Sequence, residues 1–182
     1  MLAPVISTKR LVLRLPRAAD DGAMLALLNN PAIARMTARV PHPITLDDIA
    51  GRRRLNKGGG EKMYVVERDG ELIGGAGVKP PGSGEPPRIM PRLGYWIGAP
   101  YQGNGFGTEA VGALVRACFK SADCDVVGAG VFADNRASVR VLEKCGFEPV
   151  GRYMTFSAAR EIQVDTIDFN LTAARYRTII HD

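Results

Sequence analysis

Gly103, Gly105 and Gly107 stand at alternate positions of the stretch "YQGNGFGTEA", residues 101–110, directly ahead of a segment that reads as the start of a helix. Glycines there give up backbone entropy and side-chain packing, which suits a backbone that something else must approach closely. The first turn of a helix has unpaired N–H groups and a partial positive charge, so phosphate oxygens are the natural visitors. The plainer alternative is a tight strand-to-helix turn with no ligand. A P-loop needs lysine before the hydroxyl residue, and here glycine precedes Thr108, which disfavours a nucleoside triphosphate. A dinucleotide fold needs GxGxxG straight off a strand. The spacing here is GxGxG, Pro100 and Tyr101 interrupt the join, and an antiparallel meander precedes it, so NAD or FAD is disfavoured as well. The stretch reads as a pyrophosphate cradle of another kind.

Other chemistries find less support. Cys118, Cys124 and Cys145 form no CxxC pair, and His42 and His181 lie far apart, so neither a metal site nor a disulfide framework is expected. With 182 residues, 46% of them hydrophobic, the chain suits one domain spanning residues 1–182. It has no apolar run long enough for a membrane span and no signal-peptide order at its start, so a cytoplasmic protein without membrane contact is expected. The net charge of +5 is scattered apart from "GRRRLNK" at 51–57. That run reads as a solvated helix face and not as a nucleic-acid footprint, although it would also suit a phosphorylated ligand.

The elements that must position the glycines follow from local pattern. "KRLVLRLP" alternates as a strand closed by Pro16, and "DDGAMLALLN" reads as a helix that Pro31 ends or restarts. Thr45 opens a second helical segment with acids first, bases later and glycines at its exit. Asp69-Gly70 marks a hairpin, and a Pro/Gly-rich loop over 79–91, expected to be mobile, leads to the strand "RLGYWIG". Beyond the glycines come an apolar-faced helix, the buried strand "DVVGAGVF" and a helix capped by Asp134 or Asn135 and stopped by Gly146. Two last strands, near 147–156 and 162–172, finish the chain. The order predicts an α/β (α+β) protein with a mixed sheet.

"QGNGFG", residues 102–107, matches the Gln/Arg-x-x-Gly-x-Gly/Ala signature of the GNAT N-acetyltransferases, and "ADNRASVRVLEKCGF", residues 133–147, resembles the Asn-x-x-Ser helix of their RimJ/RimL-like branch. "TKRLVLR" and "LGYWIGAPYQG" are similar to that branch too. The resemblance implies a strongly bent mixed sheet whose two central parallel strands splay apart around acetyl-CoA. It implies that Gln102, Gly103, Asn104, Gly105, Phe106, Gly107 and Thr108 surround the pyrophosphate, that main-chain groups of Trp96 and Ile97 pair with the pantetheine arm, and that Asn135 flanks that arm.

Such an enzyme moves an acetyl group to a primary amine by direct attack in a ternary complex. The acceptor would be a protein N-terminus or a small amine; no nucleic-acid partner is expected, and a homodimer is left open. The amine must lose its proton, the carbonyl oxygen needs an N–H donor, and the leaving thiolate needs a proton. A main-chain amide near Ile97 is the candidate for the oxyanion. Ser138, one turn beyond Asn135, is the candidate donor to the thiolate, because the position at which many relatives have tyrosine is Leu142. The glutamate common before "LGYW" in the branch is Arg92 here, which removes a carboxylate base at that position. In the last strand the apolar parity flips at Asp165 and Thr166, as a β-bulge would make it, so Asp165 is the candidate for binding or deprotonating the amine. Cys145, at a helix C-terminus that disfavours a thiolate, reads as packing. The rival function is a non-catalytic CoA-binding sensor, for which the loss at Arg92 speaks.

Overall fold

The computed structural model describes residues 2–56, 61–82, 89–120 and 124–179. The glycines expected at a helix exit (58–60), the middle of the Pro/Gly-rich loop (83–88) and His181 lie outside them. Eight strands form one sheet in the order β1-β2-β3-β4-β5-β6-β8-β7. They are β1 (Val5–Ser7), β2 (Val12–Arg14), β3 (Lys62–Arg68), β4 (Glu71–Lys79), β5 (Arg92–Ile97), β6 (Val126–Phe132), β7 (Glu148–Ser157) and β8 (Ile162–Thr172). Helices α1 (Asp21–Leu28), α2 (Pro31–Ala34) and α3 (Leu46–Leu55) precede the long strands; α4 (Phe106–Phe119), α5 (Arg136–Lys144) and α6 (Ala173–Ile179) follow β5, β6 and β8.

Every neighbouring pair is antiparallel except β5 and β6, as the mixed sheet required. That parallel pair touches only at Arg92↔Gly128 and Leu93↔Ala129. Beyond Leu93 the two strands part, and the gap they leave is the feature that positions everything below.

Local chemistry accounts for the elements. Asp69 and Gly70 take φ of 52° and 82°, the left-handed pair that a two-residue hairpin turn needs. Thr45 and Asp48 form a reciprocal capping box on α3. Asn135, not Asp134, caps α5 by accepting from Ser138 N–H at 3.1 Å. Gly146 ends that helix at φ 85°, with Phe147 N–H closing on Leu142 O at 3.0 Å.

The core lies on both faces of the sheet. Ala110, Val111, Leu114, Val115 and Cys118 of α4 and Leu142 of α5 pack with Tyr64, Val66, Phe169 and Leu171 on one face. Met24, Leu28, Ile33 and Ile49 pack with Val65 and Leu72 on the other. Each fully buried side chain of this size contributes roughly 1.5–3 kcal/mol. A part-buried ionic cluster ties β2 to β3: Arg14 of β2 grips Asp20 with two bonds of 2.8 Å and also holds Glu67 of β3.

Three expectations need correction. The segment before β2 folds back as β1, a hairpin partner too short to be read from alternation. The chain does not end on a strand: α6 follows, and its Tyr176 ring stacks 5.0 Å from Phe119. The bulge is not at Asp165–Thr166, where β8 pairs without interruption to β6 and β7; the irregularity is in β7, between Pro149 and Gly151. The parity of β8 flips because its covered face changes. Val164 and Thr166 are buried on the side of the gap described below, whereas Phe169 and Leu171 are buried against the α4 side.

Candidate active site

The glycine stretch lies at the end of β5, between a short 3-10 turn (Ala99–Tyr101) and α4. Gly103 and Gly105 adopt φ of 80° and 79°, and Gly105 is the N-cap residue of α4 with no side-chain cap bond. The N–H groups of Phe106, Gly107 and Thr108 therefore open the helix without an intrahelical acceptor. The side chains of Gln102 and Asn104 shape this loop: Gln102 Nε2 donates to Ile97 O at 2.9 Å, and Asn104 Nδ2 to Tyr101 O and Gln102 O at 3.2 and 3.0 Å. A cation also attends the loop. Arg10 donates to Asn104 O at 3.1 Å, pairs with Glu109 at 2.6 Å and lies 4.7 Å over the Phe106 ring. Its place in "TKRLVLR" was visible in the sequence, but its reach of 94 residues along the chain to Asn104 was not.

Strand β5 offers its free side to the gap. Gly98 N–H donates to Ile73 O at 2.9 Å. Hydrogen-bonded pairs alternate along an antiparallel ladder, so Trp96 turns its main-chain groups to Gly75, and Tyr95 and Ile97 turn theirs toward β6. The open edge thus belongs to Tyr95 and Ile97, one residue out of step with the expected pair Trp96 and Ile97. The Trp96 indole instead faces the α1–α3 side, over Gly75, where a Cβ would come within 2.5 Å of Nε1.

Across the gap, Asn135 and Ser138 sit at the mouth of α5. The Ser138 hydroxyl is 2.7 Å from the phenolic oxygen of Tyr95, a partner that sequence reading missed although "LGYW" contains it. The Tyr95 ring passes beside Gly107, whose would-be Cβ would stand in ordinary contact with Cε2 at 3.4 Å. Burial pushes the Tyr95 phenol up to about 12, only partly offset by the bond to Ser138, so it is a neutral donor at ordinary pH. Leu142 is fully buried in the core and supplies nothing to this end of the helix. Cys145 packs with its thiol 3.6 Å from Thr108 O, and burial pushes it up to about 11, in keeping with a packing role.

A cleft of about 660 Å³ runs from Tyr95, Asn135 and Ser138 across the α1–α3 face of the sheet. Asp165 is not among its lining residues. It sits on the opposite face of β8 from Thr166, held by Arg152, whose hydrogen bond and charge keep the carboxylate below its usual range. Arg92 does line the cleft and is paired with Asp168 at 2.6 Å. The structure therefore brings together Tyr95, Ile97, Asn135, Ser138 and the glycine loop, and leaves Asp165 outside. Among the described residues, no group of three or more His, Cys, Asp or Glu side chains is placed to hold a metal ion. No helix among them is long and apolar enough to cross a membrane.

Parallel strands that part at a glycine-opened helix are the arrangement that the resemblance in the sequence implied, and comparison with known proteins names the family. Residues 10–148 match the model of the acetyltransferase (GNAT) domain, and the chain belongs to the GNAT acetyltransferase family. It is 26% identical over 178 residues to the uncharacterized N-acetyltransferase YoaA of Bacillus subtilis (strain 168), covering 94% of this chain and 98% of that one. Its fold is shared with AAC(6')-Ib, solved with ribostamycin and coenzyme A (TM-score 0.80, 22% identity, 93% and 97% of the two chains). It is shared too with RimL, the ribosomal L7/L12 alpha-N-protein acetyltransferase solved with coenzyme A (TM-score 0.76, 18% identity, 92% and 97%).

Proposed function

We propose that this protein transfers an acetyl group from acetyl-CoA to a primary amine by direct attack of the amine in a ternary complex. The observation that carries the proposal is the parting of β5 and β6 after Leu93, with the main chain of Tyr95 and the N–H of Ile97 turned to the gap and the bare first turn of α4 at its end. The coenzyme A bound in AAC(6')-Ib and RimL supports it.

Each requirement of the chemistry then has a group. The N–H groups of Phe106, Gly107 and Thr108, with Gly103 and Gly105 keeping side chains clear and Arg10 beside them, receive the pyrophosphate. The pantetheine pairs along Tyr95 and Ile97 as another strand would. Ile97 N–H is aimed at the gap and serves the developing oxyanion. Tyr95 and Ser138 act as one donor unit for the leaving thiolate: the serine hydroxyl hands over its proton and takes the phenol's, and water carries the proton lost by the attacking amine back to the phenolate. Asn135 caps α5 and thereby fixes Ser138. The cleft's own carboxylate, Glu61, is engaged by Arg39 through bonds of 2.9 and 2.8 Å, so the amine's proton leaves through water.

Incubating the purified protein with acetyl-CoA and an amine panel, and following both thiol release and acetylated product by mass spectrometry, tests this. Product with stoichiometric thiol is the expected result. Tight CoA binding with no product from any amine would instead favour the sensor.

A further inference from the structure

The charge of the cleft is unusual for a site that must admit an amine. Among the described residues lining it are four cations, Arg39, Arg52, Lys79 and Arg92, and one carboxylate, Glu61. Two of the cations are answered: Arg39 by Glu61, and Arg92 by Asp168. Among the described residues the other two have no carboxylate within bonding distance. Lys79 ends β4 directly opposite Arg92, and like charges in that cross-strand position repel each other. Its side chain is half-buried and, among the described residues, makes no hydrogen bond or ion pair. Arg52 comes from the basic run of α3. Its neighbour Arg53 is tied to Asp21 at 3.0 Å and Arg54 is exposed, but Arg52 turns inward to the carbonyl of Arg39, leaving its Nε buried without a hydrogen-bond partner. Burial first, and the nearby Arg39 second, pull both Lys79 and Arg52 below their ordinary pKa ranges.

Half-buried cations that repel one another and have no carboxylate beside them are stabilised by a visiting anion. A polyamine or aminoglycoside would add ammonium groups to this excess. A volume of about 660 Å³ fits a small molecule, and the same cleft reaches Ser138 and Tyr95. Taking the proposed acetyl transfer as its basis, we infer that the acceptor is a small amine that also carries a phosphate or carboxylate group, held by Lys79 with Arg52 and Arg92 beside it. The amine end then points toward the β5–β6 gap.

Matched amines test the proposal on the 182-residue chain: O-phosphoethanolamine, β-alanine, ethanolamine and 1,2-diaminoethane. The anionic pair should exceed ethanolamine in kcat/KM by about tenfold or more, with the diamine poorest, a tenfold difference being about 1.4 kcal/mol. The order within the anionic pair tells phosphate from carboxylate. Lys79→Gln should narrow the advantage of the anionic pair over ethanolamine about tenfold, and Lys79→Arg should restore it. Equal rates for neutral and anionic amines, or a preference for the diamine, would overturn the inference. Calorimetric titration of the same amines into the CoA-loaded protein separates this from failure of acetyl transfer itself. Binding of an anionic amine that weakens in Lys79→Gln upholds the inference even where no product forms, and absence of binding by both anionic amines overturns it.

Discussion

Single side chains decide the chemistry at three points. At Gly105 any side chain is strained, since φ is 79°, and its Cβ would stand in contact with Arg10 Nη2 at 3.5 Å. Gly105→Ala should therefore cost about 1–2 kcal/mol of stability and, by filling the cradle, raise the CoA dissociation constant by about tenfold, roughly 1.4 kcal/mol; calorimetry beside a thermal melt reads both. At the donor pair, Ser138→Ala and Tyr95→Phe should each lower kcat about ten- to a hundredfold, below the usual general-acid range because water partly substitutes. Because the two share one hydrogen bond, the double variant should be little worse than the poorer single one, and a fully additive double variant would separate their roles. The phenol supplies an independent check. Its folded pKa, about 12, lies above the ordinary 10.0. The stability it contributes is complete below pH 10 and is lost as pH rises toward 12, while the tyrosinate absorbance of the wild type minus Tyr95→Phe should appear only in that upper range. Asp165→Asn should leave amine kinetics unaltered from about pH 6 to 9 and change stability little, since its ion pair with Arg152 is exposed. A raised amine KM in that variant would bring Asp165 back into the mechanism.

Among elements, the spacing of β4, β5 and β6 is what makes a binding gap out of a sheet. Gly74 lies so close to β5 that a Cβ would stand 2.4 Å from Trp96 O and 3.2 Å from Ile97 Cα. Gly74→Ala must push β5 toward the gap, so it should both destabilise the protein by about 1–3 kcal/mol and weaken CoA binding. Gly112 in α4 is the contrast, with nothing within 4 Å of its would-be Cβ. Gly112→Ala should raise stability by about 0.5–1 kcal/mol and leave CoA affinity where it was. If both alanines moved CoA affinity alike, helix propensity and not strand spacing would govern the site.

For the whole molecule, the sheet edge depends on the Arg14–Asp20–Glu67 cluster, which joins β2, the entrance to α1 and β3 across 53 residues. The bond from Arg14 leads the causes that hold Asp20 below its usual carboxylate range. A carboxylate depressed in the folded state contributes stability that is present above its unfolded pKa, about 3.9, and lost as pH falls through the folded value. Asp20→Asn should cost about 1.5–3 kcal/mol at neutral pH and flatten the acid limb of the unfolding profile. Urea melts of both proteins from neutral pH down to about pH 3 would test this, and parallel profiles would assign the acid sensitivity elsewhere.

How much was legible in the sequence depended on range. The cradle, the Asp69-Gly70 hairpin, the caps at Thr45 and Asn135 and the stop at Gly146 are local events, set by φ preferences and side chains within a few residues. Helix α6 escaped because its cap, Thr172, which accepts from Arg175 N–H at 3.2 Å, is also the last residue of β8, and the helix's place comes from contacts with Phe119 and Gly146 distant in the chain. The flip at Asp165 was misread as a bulge because alternation records which face is covered, not whether the register slips. By itself the sequence determined a mixed α/β sheet, a glycine-opened helix and the Asn-x-x-Ser turn that faces it. Only the tertiary structure decided that Tyr95 meets Ser138, that Ile97 and not Trp96 opens to the gap, and that Lys79 and Arg52, 27 residues apart, are cations of one cleft. Local dihedral preferences are written in neighbouring residues, whereas strand register and the meeting of distant side chains are fixed only when the whole sheet closes its core.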